Sequence, residues 1–345
     1  MKEATRIAVI GCGFYAANHL QSWRDLAPEG AELVAVCDID PAKAAQAGRD
    51  FGVKHFTELA PMLDTARPDL VDIVTRVDTH RPIAEAVLGR GIGAIVQKPF
   101  ALTMSDARAI VAAADQSGAW LAVHENFRFQ PPVRRVIDLV EAGAIGALSW
   151  GRVSFRTGFD VYTTQPYFLT ETRLVIADVG VHVLDLSRRL LGEVASLSAE
   201  TQRRNPRVMG EDTATMLVRH QSRAISVVEC TYEARREPDP FPETIIELEG
   251  ERGALTLLAG GAIHLTQDGR LRKLRNTYQS RPWMEKRWAM SQAGALEACR
   301  HFLARFRAGQ TAETNGHDNL KTAALVDAAY RSAESHLPVA PSVEG

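Results

Sequence analysis

The apolar run Gly93–Pro99, Gly-Ala-Ile-Val-Gln-Lys-Pro, ends on a lysine placed for chemistry. Pro99 restricts the residue before it to extended backbone, so Lys98 is held at a strand end. An ammonium there can donate to a substrate oxygen and stabilise negative charge as it develops. The alternative is an ordinary surface lysine. A second group is Asp178, His182 and Asp185, spaced i, i+4 and i+7 on one helix face. Val179, Val181, Val183, Leu184 and Leu186 flank that stripe, as a pocket wall requires. His182 suits the removal of a hydroxyl proton near neutral pH, and Asp178 can orient it or bind substrate. A structural ion pair on a helix is the competing explanation. The same side chains could bind a divalent metal; with one histidine and no cysteine nearby, zinc is not expected and no metal is assigned.

The element that would supply an electron acceptor lies near the start. Arg6–Ala16 reads as a strand running into Gly11-Cys12-Gly13-Phe14-Tyr15-Ala16. Gly11 permits a tight turn, Gly13 lets backbone approach a pyrophosphate, and Ala16 keeps the next helix close to the strand. The positive end of that helix favours the anion. Asp38 follows about 20 residues later, at the end of a second apolar run, where a carboxylate binds the adenosine ribose hydroxyls. Asp40 lies beside it and no adjacent arginine or lysine awaits a 2′-phosphate, so NAD is favoured over NADP. Helix capping is the other use for Asp38, since Pro41 follows closely. A dinucleotide and a charged donor at one sheet edge imply redox chemistry.

These residues need a scaffold. Apolar runs at Ile7–Ile10, Leu33–Cys37, Leu70–Val74, Ala94–Val96 and Leu121–Val123 alternate with helical patterns at Ala16–Leu26, Pro41–Phe51, Arg81–Arg90 and Met104–Ser117. That alternation is the pattern of a doubly wound parallel sheet, a Rossmann domain over residues 1–125. From His124 the texture changes. Helices are expected at Pro131–Ala142, Ala177–Leu191, Ala293–Ala308 and Leu320–Ser335. Between them fall strand-like runs from Ser149 to Thr266 joined by short polar or glycine-rich turns, which favour a large antiparallel sheet. Residues 126–345 are therefore expected to form an α+β substrate-binding and oligomerisation domain.

Bulk properties agree with a globular chain. Of 345 residues, 46% are hydrophobic and 24% charged, and the formal charge of −2 offers no footprint for nucleic acid or an anionic membrane. No apolar run approaches the roughly 20 residues that cross a bilayer. Cys12, Cys37, Cys230 and Cys299 lie far apart, without metal-ligand spacing. The first strand starts too early for a signal peptide, so the cytoplasm is the expected compartment. His19, His80 and His124 fall close to strand ends; His80 is expected to face the cofactor and His19 to pack.

Together these motifs resemble the Gfo/Idh/MocA family of nicotinamide-dependent sugar and cyclitol oxidoreductases. Beyond the glycine turn, Asn18-His19, the run Val71–Thr75 followed by Thr79-His80, and the closing stretch Asp318–Ala333 are similar to family segments. Gln97-Lys98-Pro99 matches the Glu-Lys-Pro signature with glutamine in place of glutamate, and Asn126-Phe127-Arg128 is similar to the Asn-x-Arg segment. Asp178 and His182 fit the Asp-x-x-x-His helix, whereas Arg173-Leu174-Val175-Ile176 stands where the family has a glycine run. The resemblance implies a catalytic set of Lys98, Asp178 and His182. It implies a cofactor site formed by Gly11, Gly13, Phe14, Tyr15, Asp38, Thr75, His80, Gln97, Lys98 and Asn126. It also implies a final helix that packs back on the Rossmann domain.

Arg156, Tyr162 and Tyr167 precede the catalytic helix and are candidates to reach a polyol, or are ordinary strand and loop residues. The stretches His124–Arg128 and Phe155–Tyr167 look most like the aldose-oxidising members. The expected activity is hydride transfer from a secondary or anomeric hydroxyl of a sugar, polyol or cyclitol to NAD, in a homodimer or homotetramer. An NAD-dependent glycosidase using transient oxidation and a catalytically silent NAD-binding regulator are the alternatives.

Overall fold

The computed structural model describes residues 4–275 and 278–344. The chain divides into two compact units. One comprises the residues through Asn126 together with Gly294–Leu320; the other comprises Phe127–Ala293 and the chain from Lys321 onward.

In the first unit, β1 (Thr5–Ile10), β2 (Ala31–Cys37), β3 (Lys54–Phe56), β4 (Leu70–Ile73), β5 (Gly93–Gln97) and β6 (Leu121–His124) form one sheet in the order β3-β2-β1-β4-β5-β6. Every pairing is parallel. This is the doubly wound order, whose ligand crevice lies outside the carboxyl ends of the strands where the order reverses. Here that point falls between β1 and β4. Strands β4, β5 and β6 are buried along their length, as apolar runs covered on both faces must be. The intervening helices are α1 (Ala16–Asp25), α2 (Pro41–Phe51), α3 (Leu59–Ala66), α4 (His80–Leu88) and α5 (Met104–Ser117). Local chemistry sets their ends. Asp40 caps α2 ahead of Pro41, Thr103 caps α5, and Gly52 and Gly118 close the two helices at φ 67°. The short β3 and α3 were not legible in the sequence, because a three-residue strand and a proline-bearing octamer carry little periodicity.

The second unit contains α6 (Pro131–Glu141), β7 (Leu148–Arg156), the single turn α7 (Val161–Thr164) and α8 (Val181–Leu191). The strands β8 (Val194–Gln202), β9 (Thr213–His220), β10 (Ile225–Thr231), β11 (Ile245–Gly250), β12 (Gly253–Leu257), β13 (Ile263–Gln267) and β14 (Arg270–Leu274) follow. Their sheet has the order β14-β13-β12-β11-β7-β10-β9-β8. It is antiparallel except where β7 and β10 run parallel. Val153, Phe155, Met216, Val218, Ile246 and Leu248 point to the inner, core face. The opposite face carries Trp150, Arg152, Leu217, Ile225 and Glu247. Arg270–Leu274 is an edge strand, and its charges discourage further pairing.

Two helices complete the chain, α9 (Ala289–Arg307) and α10 (Gly316–Ser335). The part of α9 from Gly294 belongs to the first unit, where Phe302 and Phe306 meet the Trp120 ring edge-on. The closing helix meets the expectation only in its first turn, where Leu320 joins the first unit's core. From Lys321 it belongs to the second unit, because Leu325, Ala328, Ala329 and Tyr330 pack into that unit's core.

Candidate active site

At the turn after β1, Gly11 has φ +92°, and a Cβ there would lie 2.3 Å from the Val74 carbonyl oxygen. No larger residue fits. A Cβ at Gly13 would meet nothing within 4 Å, so the backbone is open on that side. The helix behind it, α1, has no side-chain cap and no acidic residue in its first turn, unlike α2 with its Asp40 cap. An open glycine backbone before an uncapped helix terminus is what a pyrophosphate requires.

Asp38 and Asp40 divide their tasks. Asp40 accepts from the Ala42 and Lys43 amides, whereas Asp38 is not the cap. Instead Asp38 Oδ2 accepts from the Cys12 amide at 2.7 Å and Oδ1 from the Asp40 amide at 2.8 Å, tying the end of β2 to the glycine turn. Lys43, the nearest cation in sequence, is 3.8 Å from Asp40. The turn and the Asp38 carboxylate thus fit a dinucleotide with an unphosphorylated ribose.

Along the same sheet edge lie Thr75 after β4 and Gln97-Lys98 at the end of β5. The Thr79 hydroxyl donates to Thr75 Oγ1 at 2.8 Å. His80 is buried, with its ring nitrogens 3.1 Å from the Thr75 carbonyl and 3.3 Å from the Phe100 carbonyl. Burial lowers its proton affinity, so it stays neutral and braces the loop. Asn126 Nδ2 donates to the Tyr15 hydroxyl at 3.1 Å, and Phe14 is exposed. Lys98 is half-buried and joined to Pro99 by a cis peptide. The Gln97 side chain accepts from the Lys98 amide at 2.7 Å and contacts His19 at 2.8 Å. His19 packs as expected, yet it also bonds to Asp72 at 2.7 Å. Potential ligand atoms of His19, His124 and Cys299 lie within 4.8 Å of one another, but both His19 nitrogens are already engaged.

In the second unit, Asp178 and His182 lie where the sequence places them, with one change in geometry. Residues Ile176–Gly180 form a π-turn before α8, which widens the helix and rotates Asp178 from the regular phase. Glu211 anchors this turn. Its carboxylate accepts from the Leu174 and Ile176 amides and from the Tyr330 hydroxyl, which itself accepts from the Ala177 amide. Asp178 accepts from the Tyr232 hydroxyl. Burial and the neighbouring Asp178 charge push the Tyr232 phenol far up, so it remains a donor. His182 is stacked on Phe127, with ring centroids 3.8 Å apart and planes 2° from parallel.

Asp185 has a different fate. Its carboxylate is fully buried and accepts from Arg128 Nε at 2.5 Å, Arg128 Nη2 at 2.6 Å and the Thr322 hydroxyl at 2.7 Å. It completes no pocket wall; it neutralises a buried arginine. Burial opposes its ionisation, but Arg128, Arg188 and Thr322 together outweigh that and hold its carboxyl below the usual range.

The substrate candidates separate. Arg156 lies on the open face of the sheet and donates to Glu229 at 3.2 Å, so the strand's alternation turns it away from the helix that carries His182. Tyr162 is buried and donates to Glu233 at 3.2 Å; its ring meets Tyr232 edge-on. Tyr167 is exposed, with its hydroxyl 2.8 Å from Gln165 Oε1. The sequence reading missed Tyr232, Glu211 and Phe127 as supports, for nothing local links them to Asp178 or His182.

A six-stranded dinucleotide-type sheet with a glycine turn, joined in one chain to a domain with a large mixed sheet, defines a two-domain nucleotide-cofactor oxidoreductase. The chain belongs to the Gfo/Idh/MocA oxidoreductase family. Residues 5–125 match the family's NAD-binding Rossmann fold and residues 133–256 match its C-terminal domain. It is 43% identical over 327 residues to a D-apiose dehydrogenase of Paraburkholderia graminis, covering 94% of this chain and 87% of that one. It is 41% identical to a D-apiose dehydrogenase of Rhizobium rhizogenes, covering 94% of each. An oxidoreductase from Agrobacterium radiobacter, solved with NAD+, L-tartaric acid and magnesium, superposes with a TM-score of 0.95 at 40% identity, covering 97% of this chain and 98% of that one.

Proposed function

We propose that this NAD-binding oxidoreductase oxidises a secondary or anomeric hydroxyl of an aldose, with D-apiose the first substrate to test. The observation that carries this reading is identity above 40% to two D-apiose dehydrogenases across 94% of the chain. NAD, when bound, supplies the hydride acceptor. Gly11, Gly13 and the α1 terminus hold its pyrophosphate, and Asp38 its ribose hydroxyls; Phe14, Tyr15, Thr75, His80 and Asn126 line the same edge. His182, fixed by the Phe127 stack, takes the hydroxyl proton as the C–H hydride leaves and the C=O bond forms. Lys98 stabilises the developing oxyanion. Asp178, held by Tyr232, orients the histidine and accepts from a neighbouring hydroxyl. Tyr167, exposed on the loop before the helix of His182, is a substrate contact, whereas Arg156 and Tyr162 serve the scaffold.

The four cysteines are free thiols, which suits the cytoplasm, and no described helix is long and apolar enough to cross a membrane. The open sheet face, with Trp150, Leu217 and Ile225 around the Arg152–Glu229–Glu247 ion pairs, is the surface assigned to self-association as a dimer or tetramer. A screen of aldoses, polyols and inositols with NAD and NADP, read as absorbance of reduced cofactor, tests the activity. Turnover of D-apiose or a related aldose with NAD is the expected outcome; no reduction with any of them removes the reading.

A further inference from the structure

Gln97 has two neighbours that fix its orientation and, through it, the protonation of a buried histidine. The Lys98 amide can only donate, so the Gln97 atom 2.7 Å away must be the carbonyl oxygen. The amide NH2 of Gln97 then faces His19 Nε2 at 2.8 Å and can only donate, which makes Nε2 the acceptor. The ring proton must therefore sit on Nδ1, where it meets Asp72 Oδ2 at 2.7 Å. Trp23 Nε1 donates to the same oxygen at 2.7 Å. Donors and acceptors alternate without conflict from Asp72 to Lys98, and His19, Asp72 and Gln97 are all buried.

We infer that Asp72, His19 and Gln97 form a positioning relay for Lys98, in which the amide at position 97 holds His19 as its uncharged Nδ1–H tautomer. The inference rests on the reading of Lys98 as the oxyanion stabiliser. The relay holds the backbone where the lysine leaves β5. The other titratable groups facing the His19 ring are His124, with centroids 4.1 Å apart, Tyr15 at 5.5 Å, and Cys299, whose thiol burial pushes far up. A glutamate at 97 would change the balance. It would accept both from the Lys98 amide and from His19, so the ring would need protons on both nitrogens.

Nitrogen-15 NMR of the histidine-labelled protein, with His19 assigned by its loss in His19→Asn, tests this without turnover. The expected spectrum shows a protonated Nδ1 and a bare Nε2 at neutral pH. In Gln97→Glu both nitrogens should be protonated at neutral pH. Turnover of that variant should gain an alkaline limb, falling about tenfold per pH unit above it, in kcat and not only in KM. The double variant His19→Asn/Gln97→Glu keeps a donor to Asp72 but nothing to titrate, so the limb should vanish. A proton on Nε2 in the unmodified protein, or a limb that survives in the double variant, overturns the relay. Failure of every sugar to reduce NAD would remove the dehydrogenase reading while leaving the tautomer measurement intact.

Discussion

Asp178 and Asp185 arise about two turns apart on neighbouring helical segments, yet the protein treats their charges in opposite ways. Asp185 is sealed from water and met by a guanidinium in two parallel hydrogen bonds, with Thr322 as a third donor. Asp178 is half-buried and receives a neutral phenol that cannot cancel its charge. A carboxylate neutralised by a fixed cation is a scaffold element, because its charge is spent within the fold. We propose that Asp178, which accepts from Tyr232, is the carboxylate used for chemistry. In the proposed reading, one residue type two turns apart serves stability at Asp185 and chemistry at Asp178.

Four measurements can break that contrast. Asp185→Asn leaves Arg128 buried without its counter-charge, and should cost about 3–5 kcal/mol in urea unfolding. The Asp185 carboxyl lies below its unfolded value, so the stability it contributes is present above about pH 4 and disappears as pH falls through the folded value. The gap between the two proteins should therefore narrow in acid; a gap that stays constant would mean the pair is not ionised in the fold. Asp178→Asn should do the reverse, lowering kcat about 100-fold while unfolding shifts by less than about 1 kcal/mol. A large stability loss there would make Asp178 a second scaffold carboxylate.

Tyr232→Phe removes the hydroxyl that positions Asp178. A drop of about tenfold in kcat, with little change in KM for NAD, is the expected result. An unchanged kcat would show that Asp178 needs no such support. The smallest effect belongs to Thr322→Val, which takes one donor from Asp185 and should cost about 1 kcal/mol in stability with turnover unaltered.

Much of the first unit was legible before any coordinates. The alternation of apolar runs and helical patterns and the Gly11 turn are local features, and each sits in the structure as its spacing implies. The second unit was legible as strands, a helix and the Asp178–His182 pair, but not in the groups that support that pair. The π-turn at Ile176–Gly180 left no mark in the hydrophobic periodicity, because it is imposed by Glu211 and Tyr330 from other elements. Arg156 looked suited to a polyol until strand register put it on the open face. The resemblance implied a closing helix of the second domain that packs back on the first; its first turn adds Leu320 to the first core, whereas Leu325, Ala328, Ala329 and Tyr330 enter the second.

The sequence by itself determined the family, the dinucleotide turn, the strand-end lysine and the Asp178–His182 pair, since each depends on residues within one or two helical turns. Only the tertiary structure decided which carboxylate is neutralised, which phenol holds the other, and which tautomer lies beneath the lysine. Those choices join residues 57, 54 and 78 positions apart. Local spacing cannot encode such pairings, because they are settled by sheet order and helix packing that bring distant donors and acceptors into register.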